Sequence, residues 1–255
     1  MALAGPARVV VYHFDWSVLW GEWGAQLLTG LYTTVRLAAL TLVFSFAGGF
    51  LVGIVRWTRN RYLEPLCWAY VEFARNTPPL VQMLFWYFSA IYLLPHWLFE
   101  YMRSVGYQFA AAVFALSIYH GAFVAETVRA GLSSVSRAQG EAGASLGLTF
   151  IQRLVHVVLP QAVPALVPPL TNEAVSLTKN TSLAMAIGVG EIAYQTRYID
   201  TYTFRGVEVL VASSVLYIVL CVLIELAGHV VSTLYSRHLD THATLVAPAL
   251  VSESV

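Results

Sequence analysis

Long apolar runs alternate with short polar breaks along most of the chain. The runs occupy about 27–55, 62–94, 107–128, 164–187 and 207–234. Each is long enough to cross the ~30 Å hydrocarbon core of a bilayer, which takes about 20 helical residues. The pattern therefore predicts an all-α integral membrane protein with five transmembrane helices.

The parts of the chain outside these runs divide it into three regions. They are an N-terminal outer or interfacial segment 1–26, a transmembrane domain 27–236 and a cytoplasmic tail 237–255. Trp16, Trp20 and Trp23 recur at three- to four-residue spacing in the first region, as on one side of an amphipathic helix at a membrane interface. The last region has no periodicity, so we predict no regular structure there.

Two further polar segments separate apolar runs. Residues 94–106 and 194–206 are predicted to be polar loops on the outer side. With five spans and an outer N-terminus, the C-terminus is cytoplasmic. Seven arginines then fall on the cytoplasmic side and four outside, the bias expected of a multi-pass membrane protein in this orientation. The inferred cytoplasmic set is Arg56, Arg59, Arg61, Arg129, Arg137, Arg153 and Arg237, and the outer set is Arg8, Arg103, Arg197 and Arg205.

Composition supports the membrane assignment and excludes other classes. Hydrophobic residues make up 58% and charged residues 11%, whereas about a quarter of a soluble domain is charged. The net charge is zero, which argues against a nucleic-acid partner. Cys67 and Cys221 lie in apolar runs and are predicted to be packing residues, neither a disulfide nor metal ligands.

The longest polar interruption is RAQGEAGASLGLTFIQRLVHVVLP, residues 137–160. Ser136 with Gln139, and Thr149 with Gln152, each fit a capping box, in which the first side chain and the fourth satisfy each other's backbone N–H groups. Two short helices are therefore predicted, at about 137–146 and 150–158.

Several residues within this interruption would suit a docking element. Gly147 stands where a helix C-terminal cap belongs, and Pro160 is predicted to stop the second helix. Glu141 offers one directional charge, and small residues around it would let a partner approach the backbone: Gly140, Ala142, Gly143 and Ala144. By spacing alone the segment is not specific to docking, because many cytoplasmic loops are capped helices, and an ordinary capped loop explains it more readily.

Polar residues inside two apolar runs mark a candidate substrate pathway. In the second run, Arg75, Asn76 and Thr77 precede Pro78 and Pro79, which break the helical hydrogen-bond ladder near the middle of the bilayer. Broken helices of this kind commonly coordinate solutes. The structural alternative for Arg75 is an ion pair with Glu72, one turn earlier.

The fourth run contributes the other half of the candidate pathway. Asn172, Ser176 and Lys179 follow i, i+4, i+7 spacing and share one helix face, and Asn180 and Ser182 follow them. Polar groups at this depth are costly and need a reason. The alternatives are an ion pair of Lys179 with Glu173 or with a partner's carboxylate, and a helix-joining hydrogen bond between Asn172 and Ser176. His120 and His156 have no second ligand at metal spacing, so they are interpreted as packing or loop residues.

Several stretches resemble a known family. EAGASLG at 141–147, with LP at 159–160, resembles the signature loop of membrane subunits of bacterial ABC importers. YVEFARNTPPLVQ at 70–82, RWTRNRYLE at 56–64 and LPQAVPALVPPLTNEAVSLTKNTSLAMAIGVGEI at 159–192 are similar to the polar amino acid permeases, and most similar to glutamate/aspartate permease subunits. Gly143 departs from the alanine usual at its position.

The resemblance implies a type I importer permease fold in which the loop at 137–158 couples the membrane helices to a separate ATPase. The coupling residues it implies are Arg137, Glu141, Ala142, Gly143 and Gly147. It also implies an ATPase dimer that binds ATP and magnesium, a second permease subunit (identical or homologous), an external solute-binding protein, a polar amino acid substrate and surrounding lipid. No cofactor and no catalytic residue are expected in this chain.

Two rival functions remain open at this point. The chain has one lysine, Lys179, preceded by Thr178 rather than glycine, so it has no phosphate-binding P-loop and any ATP-driven work needs another polypeptide. An ion-driven carrier or a channel would act without an ATPase. An intramembrane enzyme would need a metal cluster or a nucleophile with its base, and neither is found. Five spans do not divide into equal halves, which favours a pathway between two subunits.

Overall fold

The computed structural model describes residues 12–251, with side chains over 12–235 apart from that of residue 91. Over this range the chain is helical and has no strand. The helices are α1 Glu22–Thr58, α2 Glu64–Asn76, α3 Pro79–Leu93, α4 His96–Ser104, α5 Tyr107–Ser133, α6 Arg137–Ser145, α7 Phe150–Arg153, α8 Leu159–Asn180, α9 Ile192–Thr203 and α10 Gly206–Val251. Turns of 3₁₀-helix lie at Trp16–Leu19 and Thr181–Ile187, and a π-helix lies at Leu154–Val158.

The membrane prediction is confirmed, but the count of five continuous spans is not. Among the described residues, four helical stretches are long and apolar enough to cross a bilayer: Glu22–Thr58, Tyr107–Ser133, Phe150–Ile187 and Gly206–Tyr235. The remaining predicted span, 62–94, is divided into α2 with 13 residues and α3 with 15. Neither part alone has the ~20 residues that a crossing requires.

Helix α5 lies at the centre of the fold and packs against α1, α2, α3 and α8. Its contact with α1 depends on glycine. A Cβ atom on Gly49 would lie 2.5 Å from the Cβ of Val124, and one on Gly53 would lie 2.6 Å from the carbonyl oxygen of Ala125. Small residues allow two membrane helices to approach at backbone distance, because lipid offers no hydrophobic gain to drive them together.

The broken pair α2–α3 follows α5 from one end to the other. At the start of the pair, Glu64 lines the same cavity as Arg129 near the end of α5. In the middle of α2, the Tyr70 hydroxyl donates to the carbonyl oxygen of Ile118 at 2.7 Å. Near its end, the Tyr107 hydroxyl donates to the carbonyl oxygen of Tyr87. Between these points, Met83 packs in the same buried cluster as the early residues of α5. The two short helices thus run antiparallel to α5 and together cover most of its length.

Both segments predicted to be polar loops contain helices. In the segment 94–106, Pro95 precedes α4, and a proline suits the start of a helix because the first N–H groups have no intrahelical partner. In the segment 194–206, Glu191 caps α9 by accepting from the N–H groups of Ala193 at 2.9 Å and Tyr194 at 2.7 Å. Short capped helices do not produce the long apolar signal on which the sequence prediction relied.

Two chain-end predictions also need correction. The tryptophans of the first region do not lie on one helix, since a 3₁₀ turn capped by Asp15 ends at Leu19 and α1 begins only at Glu22. Trp23, already in α1, stacks on Tyr202 with ring centroids 6.3 Å apart. Helix α10 continues through Val251, over most of the predicted unstructured tail. Residues 1–11 and 252–255 of the predicted terminal regions lie outside the described residues.

Candidate functional site

The polar interruption folds into a helical elbow, which we define as residues 137–158. Of its two predicted capping boxes, the one at Thr149 forms: the Thr149 N–H donates to Gln152 Oε1 at 2.8 Å, and the Gln152 N–H donates to Thr149 Oγ1 at 3.4 Å. The side chain of Ser136 makes no capping hydrogen bond, so the box predicted there is wrong. The first helix nevertheless lies at 137–145, within one residue of its predicted end, and the second begins at 150 as predicted.

Gly147 ends the first helix as predicted. Its φ of +80° is in the left-handed region, which favours glycine because it has no Cβ. The following N–H, of Leu148, donates to the carbonyl oxygen of Gly143 at 3.1 Å, the bond that closes a Schellman motif. This closure reverses the chain between the two helices of the elbow.

Pro160 does not stop the second helix, contrary to the sequence prediction. The chain passes from α7 through the π-helix Leu154–Val158 directly into α8, with Pro160 in the first turn of α8. The Leu159 N–H donates to the carbonyl oxygen of Leu154, five residues back. This wider turn keeps the backbone bonded up to the proline, which itself has no N–H to donate. The elbow is therefore continuous with the fourth predicted span.

Contacts within the elbow, and with α1, stabilise one side of it. Gly143 is buried against the side chain of Arg153, and a Cβ at Gly143 would lie 3.2 Å from Arg153 Cγ. Arg153 also donates from Nη1 to the carbonyl oxygen of Gly140 at 3.4 Å. Phe150 packs on Trp57 of α1, with ring centroids 6.2 Å apart. Gly143, predicted to be a coupling residue, thus lies inside the elbow and not on its outer face.

The rest of the elbow's surface is open. Of the other predicted coupling residues, Arg137, Glu141, Ala142 and Gly147 are all exposed. They lie with two apolar side chains that sequence reasoning did not single out, Leu146 at 82% exposure and Ile151 at 70%. A cavity of about 500 Å³ lies beneath the elbow, with Trp57, Arg59, Arg137, Glu141 and Arg153 among the residues in its wall. An exposed, rigid, partly apolar corner is suited to docking.

A buried polar cluster lies at the centre of α5. His120 is the midpoint of this 27-residue helix and is fully buried. Its Nδ1 donates to the carboxylate of Glu173, and its Nε2 accepts from Nδ2 of Asn180 at 3.3 Å. This tautomer satisfies all three groups. The sequence interpretation of His120 as a packing residue missed these contacts, although an ionisable residue in the middle of an apolar run was the available signal.

These contacts contradict one of the two alternatives for Lys179, the ion pair with Glu173; the pairing with a partner's carboxylate stays a prediction. Glu173 is engaged by His120, and within the described residues no carboxylate lies within 4 Å of Lys179. Lys179 and Asn172 are exposed, Ser176 is half-buried, and Ser182 donates to the carbonyl oxygen of Lys179 at 2.7 Å. The polar face of α8 is therefore largely open in the single subunit.

Arg75 reaches α5 by a different contact from the one expected. Its guanidinium lies 5.4 Å from the ring centroid of Phe123, one turn along α5 from His120. Glu72 instead accepts from Nδ2 of Asn76 at 3.0 Å, and the described ion pairs do not include Arg75 with Glu72. Arg75 and the α8 residues thus approach the same part of α5 from two sides.

The break between α2 and α3 is stabilised by a residue that sequence reasoning missed. Gln82 is buried and donates from Nε2 to the carbonyl oxygens of Ala74 at 2.7 Å and Thr77 at 3.1 Å. The Ala74 carbonyl lacks a helical partner because position 78, four residues later, is a proline with no N–H. The Thr77 hydroxyl donates back to the carbonyl oxygen of Phe73 at 2.8 Å. Gln82 thus occupies the carbonyl oxygens of Ala74 and Thr77, which the sequence prediction leaves free for a solute.

Comparison with known proteins places these features in a family. Residues 45–237 match the model of the family described as "Binding-protein-dependent transport system inner membrane component". The chain is 35% identical over 198 residues to the probable glutamine ABC transporter permease protein GlnM of Bacillus subtilis, covering 78% of this chain and 88% of that protein. It is 32% identical over 196 residues to the glutamate/aspartate import permease protein GltJ of Escherichia coli, covering 75% and 80%.

A solved structure supports the same relation. The structure titled "Crystal structure of an amino acid ABC transporter with histidines" superposes with a TM-score of 0.72 at 26% identity, covering 87% of this chain and 99% of that one. The overall arrangement of the helices therefore follows an architecture that has been observed experimentally.

Proposed function

We propose a function from the family to which the chain belongs, the binding-protein-dependent transport system inner membrane components. The chain is the permease subunit of an ATP-driven amino acid importer in a bacterial inner membrane. The observation that carries this proposal is the exposed elbow at 137–158, which continues without a break into α8. A partner that moves the elbow would move the polar face of α8 with it. The chain transports and does not hydrolyse ATP, so hydrolysis is assigned to a partner ATPase.

The orientation we propose places the elbow in the cytoplasm and the N-terminus outside. In this arrangement α2 and α3 form one crossing from the inside to the outside, because together they run antiparallel to α5 along most of its length. The chain then crosses the membrane five times. An external solute-binding protein delivers substrate to the outer face, and ATP binding closes the ATPase dimer against the elbow.

A second permease subunit is proposed to complete the pathway. Lys179 and Asn172 are exposed on α8, at a depth where polar side chains must face water or another protein. Covering this face with a homologous or identical subunit would enclose a polar path between the two. The pathway side chains we propose are Arg75, Asn76, Thr77, Asn172, Ser176, Lys179, Asn180 and Ser182.

The substrate is proposed to be a polar amino acid, in particular glutamate or aspartate. The relatives are named for glutamine and for glutamate/aspartate, so kinship alone leaves the side chain undetermined. The two cationic groups among the pathway residues, Arg75 and Lys179, suit a substrate with two carboxylates.

The elbow assignment predicts that Glu141→Lys weakens ATPase binding by at least about 30-fold, because truncating or reversing a charge at an interface costs about 2 kcal/mol or more. The measurement is co-purification of the ATPase with the tagged permease, followed by ATP-driven uptake into liposomes. Gln139→Lys, exposed on the same helix, is the matched control and is expected to leave both unchanged. Undiminished binding and uptake in Glu141→Lys would rule out docking at this face.

The same liposomes separate the proposed importer from its rival. An ion-driven carrier or a channel would accumulate or equilibrate the amino acid without an ATPase. Liposomes that contain the permease alone are expected to show no uptake above empty liposomes. Uptake by the permease alone would favour the carrier.

The substrate assignment predicts that Lys179→Ala lowers glutamate uptake by about tenfold or more, since a charge-assisted hydrogen bond contributes about 1.5–3 kcal/mol, while ATPase co-purification stays normal. Uptake of glutamine is expected to fall less, because it lacks the second carboxylate. Lys179→Arg keeps the charge and serves as the conservative control. Equal, wild-type uptake of both amino acids by Lys179→Ala would remove Lys179 from the pathway.

A further inference from the structure

A second cavity, of about 330 Å³, lies where α1 turns into α2. Its wall is formed by Arg56, Arg59, Arg61 and Arg129 together with Glu64 and Pro65. Arg129 is on α5, so the cavity lies between three helices and is not a feature of the turn alone. The sequence interpretation used these arginines only to orient the chain. Their convergence on one cavity suggests an additional role.

The charges around this cavity do not cancel. Glu126 forms ion pairs with both Arg56, at 2.5 Å, and Arg129, at 2.5 Å. One carboxylate therefore serves two guanidinium groups. Within the described residues, neither Arg59 nor Arg61 has a carboxylate within 4 Å, so counting Glu64 and Glu126 still leaves an excess of two positive charges.

Arg56 is a buried residue in the wall of the cavity. Its side chain is 8% exposed, and its Nε has no hydrogen-bond partner among the described residues. A buried guanidinium with unused donor capacity is costly unless another acceptor completes it. Arg59 follows in the left-handed region, with φ of +54°, which usually needs glycine. This conformation turns the chain so that Arg56, Arg59 and Arg61 all line one cavity.

The surface next to the cavity is apolar. Leu63, Leu66 and Trp68, on and just before α2, are exposed at 48%, 70% and 51%. The end of α1, a 37-residue helix apolar enough to span a bilayer, lies beside them. Tryptophan is typical of the zone where the headgroups meet the acyl chains. A ligand that combined an anionic head with apolar tails would fit both surfaces, whereas a free anion would leave the apolar surface unused.

We propose that this cavity binds the phosphodiester headgroup of an anionic phospholipid. The arginines hold the phosphate, and the acyl chains lie against Leu63, Leu66 and Trp68. Basic pockets between membrane helices commonly bind such headgroups. The bound lipid would join the ends of α1, α2 and α5 at the level of the elbow.

The test uses the intact importer with its ATPase, purified in detergent and examined by native mass spectrometry with added phosphatidylglycerol or phosphatidylcholine of identical chains. The wild type is expected to retain phosphatidylglycerol preferentially. Arg59→Gln combined with Arg61→Gln is expected to weaken retention about 30-fold, since each arginine near an anionic lipid contributes about 1 kcal/mol. Both residues lack ion pairs in the described chain, so the variant is expected to fold.

The control removes two arginines elsewhere on the molecule. Arg103→Gln combined with Arg197→Gln changes two exposed side chains on α4 and α9 and is expected to leave lipid retention unchanged. Equal retention of the two lipids by the wild type, or equal loss in both double variants, would overturn the proposal. Full displacement of phosphatidylglycerol by millimolar inorganic phosphate would also overturn it and would identify a free-phosphate site.

Discussion

Gly49→Leu is expected to separate α1 from α5 and to lower the free energy of unfolding by about 3 kcal/mol or more, the upper range for overpacking. The first added carbon already has no room: it would lie 2.5 Å from the Cβ of Val124 and 2.8 Å from the carbonyl oxygen of Gly121. The oxygen belongs to a helix backbone and cannot rotate away. Relief therefore requires the two helices to move apart, which disturbs the helix on which the rest of the fold packs.

The neighbouring glycine provides the control for this prediction. Gly48 is exposed, and a Cβ there would meet nothing within 4 Å. Gly48→Leu is therefore expected to be neutral or slightly stabilising, because leucine favours a helix more than glycine does. The measurement is the thermal unfolding temperature in detergent, together with the monodisperse fraction in size-exclusion chromatography. Similar values for the two variants would show that α1 and α5 are not in backbone contact.

Glu126→Leu is expected to destabilise the protein by about 3–5 kcal/mol, the cost of removing one partner from a buried ion pair. Glu126 is the carboxylate that pairs with Arg56, whose side chain is only 8% exposed. Without it, a guanidinium remains buried without compensation. Arg129, the other partner, is 34% exposed and can extend towards water. The expected loss of stability therefore comes mainly from leaving Arg56 buried and unpaired.

A compensating change distinguishes this mechanism from a general packing defect. Adding Arg56→Met to Glu126→Leu removes the buried charge as well, and apolar replacement of a buried pair is often neutral. The double variant is expected to recover most of the thermal stability lost by Glu126→Leu. Arg103→Leu, which breaks an exposed pair with Glu100, is expected to have no measurable effect. A double variant as unstable as Glu126→Leu would contradict the charge mechanism.

Predictions of helix ends were confirmed where the local residues alone determine the backbone conformation. Gly147 takes a positive φ because no other residue type does so cheaply, and Thr149 with Gln152 forms its capping box within four residues. Pro160 shows the limit of this approach. A proline normally ends a helix, but the preceding turn widens to a π-helix and accommodates it. Nothing in the local sequence distinguishes the two outcomes.

Long-range partners could not be predicted from spacing. Glu126 pairs with Arg56 across 70 positions, and His120 pairs with Glu173 across 53. The sequence offered Glu72 for Arg75 and Glu173 for Lys179 because only helical neighbours can be inferred without the tertiary fold. Gln82 was missed for the same reason, since its role depends on the break between α2 and α3 that it bridges.

The π-helix at Leu154–Val158 also fixes the rotational phase between the elbow and the membrane. Successive residues of an α-helix are offset by about 100°, and a π-turn accommodates one extra residue without interrupting the helix. Ile151 of α7 and the face of α8 that bears Asn172, Ser176 and Lys179 therefore keep a set azimuth along one continuous helix. Deleting the extra residue of the π-turn would rotate the polar face of α8 by about 100° towards the hydrocarbon. The side chains of α6 and α8 would all still be present.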